Sequence, residues 1–281
     1  MYAQRIDIWE GYEYEGKGAD GFRPSMETYV LSGEKKRPLV LICPGGGYRF
    51  VSPREAEPIA LQFNAAGFHA CVLTYSVAPR RHPQPLRDLS RAMCLIRENA
   101  SAWRVNPAEI AVCGFSAGGH LAASLGVHWM KSYLEGIPGI VLPENRPNAL
   151  VLAYPVITSG THAHEGSFEN LLGQDADRHE RQEMSLELHV SQNTPPSFLW
   201  HTFEDAGVPV ENTLLFANAL RSSGIPFELH VYPDGSHGLS LATEETADGP
   251  GRENPHVASW MSMCTEWLHT VFADGSSAGA N

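Results

Sequence analysis

Four short stretches of this sequence hold residues that can make and break bonds. In Gly114-Phe-Ser116-Ala-Gly118 a serine stands between two glycines. A sharp strand-to-helix turn requires such glycines, because a side chain at either place would strike the adjoining strand or helix. The turn projects a hydroxyl from a sheet edge and sets a helix start behind it, where negative charge is favoured. In Pro44-Gly45-Gly46-Gly47-Tyr48, three glycines let the main chain come close to a substrate. Their N–H groups can then point at an oxygen that gains charge during reaction. Tyr232-Pro-Asp-Gly-Ser-His237-Gly238 offers an imidazole flanked by small residues, and Thr202-Phe-Glu204-Asp205-Ala-Gly-Val-Pro209 offers two carboxylates. A serine becomes a strong nucleophile when a histidine takes its proton and a carboxylate orients that histidine. Together the four stretches suit attack on a carbonyl carbon. A phosphate-cradling reading of the glycine run fails, since no Lys-Ser/Thr follows it.

These stretches must be held by regular elements, and the hydrophobic pattern supplies them. Pro38-Leu-Val-Leu-Ile-Cys43 is a continuous apolar run, as expected of a strand covered on both faces. Ala56, Ile59, Ala60 and Phe63 then mark one face of a helix, and His69–Tyr75 is the next strand. Leu86, Leu89, Met93 and Ile96 mark a second helix before the strand Glu109–Cys113, which runs into the serine turn and an Ala- and Leu-rich helix. Ala149–Tyr154, Ser197–His201 and Phe227–Tyr232 read as further strands, with helices over Val210–Ser222 and Asn254–Phe272. Two β-like stretches, Arg5–Trp9 and Glu27–Leu31, precede the alternation. Strands alternating with helices predict an α/β fold: a mostly parallel central sheet of about eight strands with helices on both faces, in one domain spanning 1–281. Lys131–Pro147 and Thr158–Thr194 break the rhythm and read either as lids or substrate-site loops or as packed connections without ligand contact, the second with a helical patch at Arg178–Val190. The small polar end, Asp274–Asn281, is expected to fray.

With these pieces placed, the chain resembles the α/β-hydrolase esterases, specifically the bacterial acetyl-xylan-esterase-like carbohydrate esterases. The likeness rests on Pro44-Gly-Gly-Gly-Tyr48, Gly114-Phe-Ser-Ala-Gly-Gly-His-Leu121, Asp205-Ala-Gly-Val-Pro209 and Gly235-Ser-His-Gly238. Hydrolases of this fold order their triad as serine, acid, histidine. The resemblance therefore implies Ser116 as nucleophile and an acid in the loop before Pro209. Glu204 and Asp205 both stand there, and Asp205 is preferred because Asp-x-x-Val-Pro resembles the family's acid loop. Of thirteen histidines, only His230, His237, His256 and His269 follow it. His230 lies in a predicted strand, His269 in the last helix and His256 beside a helix-starting proline, which leaves His237 as base. By the same resemblance Gly46, Gly47 and Ala117 supply the oxyanion hole through their backbone amides. Pro44 stands where lipases of the His-Gly-Gly-Gly type have histidine; no donor is lost, since the glycine backbone makes the bonds. The implied activity is cleavage of short acyl esters, such as acetyl groups on saccharides, through an acyl-enzyme, with no metal and no organic cofactor. Peptidases and arylformamidases share the fold and triad and form the alternative reading, while a non-catalytic binding scaffold would be expected to lose a triad member.

Composition narrows the partners. Apolar residues make up 43% of the 281 residues, enough for a full core, and the formal charge is −12 with no basic cluster. Such a surface repels nucleic acid and mildly disfavours strongly anionic substrates, while a neutral small-molecule ester fits. The N-terminus lacks a basic start and apolar run, no window is apolar enough to span a bilayer, and the five cysteines include three in predicted buried strands. These features are those of a cytoplasmic protein that engages no membrane. His162 and His164 are expected in a solvated loop rather than on a metal. His120 is expected in helix packing with no role, and Asp88 as a surface or helix-contact charge.

Overall fold

The central strands are apolar on both faces, so neither face can meet water and helices must cover each. The computed structural model describes residues 2–16, 18 and 20–278. In chain order the elements are β1 (Tyr2–Asp7), β2 (Ser25–Val30), β3 (Arg37–Cys43), α1 (Glu57–Ala65), β4 (His69–Thr74), α2 (Gln84–Glu98), α3 (Ala100–Trp103) and β5 (Val105–Phe115). There follow α4 (Ala117–His128), β6 (Ala149–Ala153), α5 (Glu165–Leu172), α6 (Arg178–Glu183), β7 (Ser197–Thr202), α7 (Glu211–Ser222), β8 (Phe227–Tyr232), α8 (Pro255–Ala258) and α9 (Trp260–Ala278). The strands form one eight-stranded sheet in the order β1-β2-β4-β3-β5-β6-β7-β8. β1 and β2 run antiparallel to each other and β2 antiparallel to β4; all pairings from β4 through β8 are parallel.

Side chains alternate across the pleat, and the two cores divide accordingly. Leu39, Leu41, Val112, Leu150 and Leu199 point to one face, where they meet Leu89, Met93 and Ile96 of α2, Leu121 and Leu125 of α4 and Phe216 of α7. Val40, Ile42, Ala111, Val151 and Trp200 point to the other, against Ile59 and Phe63 of α1 and Trp260, Cys264 and Leu268 of α9. Parallel pairing carries every C-terminal strand end to the same edge. Register aligns Cys43 with Gly114 and Phe115 with Ala153, so the loops after β3, β5 and β6 open side by side. The loops after β7 and β8 emerge at that edge too, because Thr202 pairs with Tyr232. This is where open α/β sheets gather their ligand-binding loops.

One expectation needs correction. Asp88 is not a surface charge: it is fully buried, and its Oδ1 accepts from Trp9 Nε1 at 2.9 Å and from Gln84 Nε2 at 3.0 Å. Its Oδ2 accepts from the Ser76 amide at 2.9 Å, so the group ties the N-terminal segment to α2. Burial pushes the carboxyl pKa up to about 6, against the opposing pull of these hydrogen bonds. Lys131–Pro147 packs along α2, with Arg91 Nη1 donating to Gly139 O and Arg97 Nη2 to Arg146 O, both at 2.9 Å. At the C-terminus, α9 continues through Ala278, so the polar stretch from Asp274 begins within a helix; residues 279–281 lie outside the described residues. All five cysteines are free and buried, and among the described residues no helix is long and apolar enough to cross a membrane.

Candidate active site

The turn between β5 and α4 holds Ser116 at φ 54° and ψ −118°, a conformation that a residue with a Cβ adopts only when its surroundings impose it. Three backbone bonds impose it: Ser116 N donates to Ala153 O at 3.0 Å, and Ser116 O accepts from His120 N at 3.0 Å and Val156 N at 3.1 Å. The flanking glycines are sterically required. A Cβ at Gly114 would lie 2.1 Å from Gly118 O, and one at Gly118 would lie 2.1 Å from Cys43 O.

His237, in the loop after β8, reaches Ser116 Oγ with Nε2 at 2.8 Å and Asp205 Oδ2 with Nδ1 at 2.7 Å. An ionised carboxylate can only accept, so Nδ1 carries the hydrogen and Nε2 is left as acceptor for the serine hydroxyl. Asp205 lies in the loop after β7, where Oδ1 accepts from the amides of Gly207 and Val208, both at 2.9 Å. Burial acts to raise its pKa, but hydrogen bonds from His201 and His237, the charge of His237 and the Val208 amide outweigh it and hold the carboxyl well below the usual range. Glu204, the other available acid, is exposed. His230 bonds Glu228, His256 is exposed and His269 stacks near Phe68, so none of these joins the serine.

The glycine loop after β3 faces the same serine. Gly46 and Gly47 have φ of 128° and 63°, and a Cβ on Gly46 would lie 2.1 Å from Phe50 O. Among the described residues, no hydrogen bond is made by the amides of Gly46, Gly47 or Ala117, whereas Gly45 N donates to Glu55 Oε2 at 2.8 Å. Gly46 and Gly47 are partly exposed and line the pocket, so their amides are available to a bound oxygen. Ala117 is also the first residue of α4, so its amide carries the positive end of the helix dipole.

Several residues that the sequence pattern did not single out build this site. Glu55 is buried in the pocket wall and accepts at Oε1 from Tyr154 Oη at 2.6 Å; Tyr154 Oη in turn accepts from Ser240 N at 3.0 Å. This chain of bonds joins the glycine loop to the loop that carries His237. His201, fully buried on β7, bonds Thr213 Oγ1 through Nδ1 at 2.7 Å and Val208 O through Nε2 at 2.9 Å. A carbonyl only accepts, so Nε2 is the protonated nitrogen, and it also lies 3.3 Å from Asp205 Oδ2. His120, expected to have no role, holds two elements together. Its Nε2 donates to Met184 O and its Nδ1 accepts from Tyr48 Oη, both at 2.9 Å. It thus braces the glycine loop against the Thr158–Thr194 segment. Tyr48 itself is buried under the loop rather than lining the pocket. His164 is not in a solvated loop: it caps α5 by accepting from Ser167 N, and it forms part of the pocket wall with Gly166 and Asn170. Asn170 Nδ2 donates to Gly47 O at 2.8 Å, a second brace on the loop. Lys131–Pro147 contributes nothing to the lining.

The resulting pocket has a volume of about 460 Å³. Phe50 is its one large apolar side chain among the described residues, and Arg49, Arg54, Arg252, Glu55 and Asn170 are its larger polar ones. The described residues contain no cluster of His, Cys, Asp and Glu able to hold a metal ion.

Comparison with known proteins follows the same lines. The BD-FAE family model matches residues 26–220. Endo-1,4-beta-xylanase B of Butyrivibrio fibrisolvens is 41% identical over 87% of this chain and 39% of its own length. An acetylxylan esterase of Xylanibacter ruminicola is 29% identical over 80% of this chain and 45% of its own. The chain thus spans less than half the length of these two curated relatives. The crystal structure of an acetyl ester-xyloside bifunctional hydrolase from Caldicellulosiruptor lactoaceticus superposes with a TM-score of 0.85 at 39% identity, covering 95% of this chain and 96% of that one.

Proposed function

The chain belongs to the BD-FAE family of α/β-hydrolase esterases, and from that premise we propose that it is a serine carboxylesterase of short acyl esters, acetyl esters of saccharides above all. The observation that carries the proposal is the continuous relay from Ser116 Oγ through His237 to Asp205, at 2.8 and 2.7 Å, opening on a pocket with unpaired amides. Ser116 Oγ attacks the acyl carbonyl as His237 Nε2 takes its proton, and Asp205 stabilises the imidazolium that forms. The amides of Gly46, Gly47 and Ala117 receive the oxyanion; one such donor is worth roughly 10²–10³ in rate. The tetrahedral species collapses as His237 returns the proton to the leaving alcohol, and the acyl group stays on Ser116. Water then attacks the acyl carbon as His237 takes its proton, and His237 passes that proton to Ser116 Oγ as the acyl C–Oγ bond breaks, releasing the acid and restoring the serine.

The lining supports a small acyl group and a polar alcohol. A long acyl chain needs an apolar channel, and Phe50 alone cannot form one, whereas polar side chains suit the hydroxyls of a sugar. The activities for which the acetylxylan esterase and the acetyl ester-xyloside hydrolase are named point the same way. The test is initial hydrolysis of p-nitrophenyl acetate, butyrate and octanoate by the wild type and by Ser116→Ala. The expected result is preference for acetate and a loss on the order of 10⁶ in the variant. Equal rates on octanoate would remove the short-acyl reading, and an active Ser116→Ala would remove the nucleophile.

A further inference from the structure

The pocket around Ser116 has a charge unlike that of the chain that builds it. The chain's formal charge is −12, yet Arg49, Arg54 and Arg252 all line this pocket and Glu55 is the sole acidic side chain in the described lining. Glu55 is sunk in the wall, with both oxygens taken by Gly45 N and Tyr154 Oη. Asp248, outside the lining, lies 3.3 Å from Arg54 Nη1 and 2.9 Å from Arg252 Nε, so one carboxylate is shared between two guanidinium groups. Among the described residues Arg54 Nη2 is buried without a hydrogen-bond partner, and Arg252 Nη1 donates to Ser236 Oγ at 3.1 Å and to His237 O. Arg49 is exposed beside the Phe50 ring, and among the described residues no carboxylate lies within ion-pair distance of it.

We propose that this arginine rim binds a carboxylate on the alcohol part of the substrate, so that the preferred ester is an acetylated saccharide that bears a uronic acid. The proposal rests on the esterase reading and names the substrate class of the same site. A guanidinium fork matches a planar carboxylate with two parallel hydrogen bonds. A concave site focuses the field of the groups that line it, so a local positive excess acts on a bound ligand even where distant surface charge is negative and screened. The positive groups sit at the rim while Asp248 and the deeper Asp205, engaged by His237, offset them, which suits a monoanion better than a doubly charged phosphate. Phe50, 48% exposed at the pocket mouth, offers a flat face for the sugar ring. The overall negative charge, which by itself disfavours anionic substrates, is thus offset by three arginines where the substrate sits.

The experiment compares kcat/KM on a monoacetylated methyl glucuronoside with that on its monoacetylated uronamide, which is neutral and nearly isosteric. Expected is a preference for the carboxylate of about tenfold at low salt, as for one charge-assisted hydrogen bond. It should shrink as sodium chloride rises to about 0.5 M, where screening reaches a few ångströms. In Arg49→Gln and Arg252→Gln the ratio should fall toward one; because it is taken within each variant, a general loss of activity cancels. A ratio near one in the wild type, or one that neither salt nor substitution changes, overturns the proposal. A larger preference for the corresponding 6-phosphate reassigns the anion and overturns the carboxylate. Calorimetric binding of the same two glycosides to Ser116→Ala reads the preference without turnover. Failure of the wild type to cleave p-nitrophenyl acetate therefore strikes the esterase reading, and equal binding strikes the rim.

Discussion

Replacing Tyr154 by phenylalanine removes one oxygen and tests how the two halves of the site are joined. The lost hydroxyl donates to Glu55 Oε1 at 2.6 Å and accepts from Ser240 N at 3.0 Å, and all three residues are buried. Water cannot replace it, so Ser240 N is left without a partner at a cost of about 1–3 kcal/mol, and Glu55 loses a donor worth about 1.5–3 kcal/mol. The sum of roughly 3–5 kcal/mol corresponds to a fall in Tm of about 5–8 °C for a chain of this size. Ser240 lies three residues beyond His237, and Glu55 holds Gly45 beside the proposed oxyanion donors. Loosening both loops should therefore lower kcat on p-nitrophenyl acetate about 10–100-fold, the effect of a small misplacement of reacting groups. Scanning calorimetry and initial rates on Tyr154→Phe, Glu55→Gln and the double variant read both quantities. Because the two residues share one network, their stability costs should not add, differing from additivity by about 1 kcal/mol or more. Additive costs, or a Tyr154→Phe variant with wild-type Tm and kcat, would refute the reasoning.

Other outcomes follow from the same geometry. Asp205→Asn replaces an acceptor of the His237 Nδ1 hydrogen by a group that can present a donor, and kcat should fall by about 10⁴ with the fold retained by circular dichroism. Gly46→Ala sets a Cβ 2.1 Å from Phe50 O at a φ of 128°, so the loop must shift; ester turnover should drop at least about 100-fold, and a near-normal rate would show that the Gly46 amide is not needed. Stability should also depend on pH through buried histidines. Burial lowers His82 and His120 from 6.5 to about 4, so between these values the unfolded chain takes up protons that the folded chain refuses, and stability is lost as pH falls from about 6.5 toward 4. Each contributes at most about 3 kcal/mol. Asp88 works the other way, since burial raises it to about 6 and the folded chain then holds the extra proton, offsetting part of the loss. Urea midpoints at pH 7 and pH 4.5 measure the balance, which should favour pH 7; equal midpoints would contradict it.

The serine turn, the loop that carries His237 and the glycine loop were legible in the sequence because each is a local matter. Backbone sterics around Ser116 demand glycine at 114 and 118, and the structure shows which atoms enforce this. The strands were legible because two-sided burial leaves an unbroken apolar run, and alternation with helices dictates parallel pairing and a single edge for the loops. Resemblance of Asp-x-x-Val-Pro to the family's acid loop favoured Asp205 over Glu204, and the fold supplies the physical reason. Both carboxylates follow β7, but only Asp205 turns inward to the Gly207 and Val208 amides, while its neighbour faces water.

What the sequence determined by itself was the set of elements and the chemistry at their ends, since both arise from residues within about ten positions of one another. Tertiary structure alone decided the company those residues keep. Glu55 and Tyr154 are 99 positions apart, Tyr48 and His120 are 72 apart, and Arg54 meets Thr246 across 192. No periodicity records such pairs, because each depends on where a loop from one strand end lies against a loop from another. The same holds for the arginine rim. A count of charges describes the chain as acidic, but the field at Ser116 is set by which few side chains converge there, and convergence is a property of the folded sheet edge.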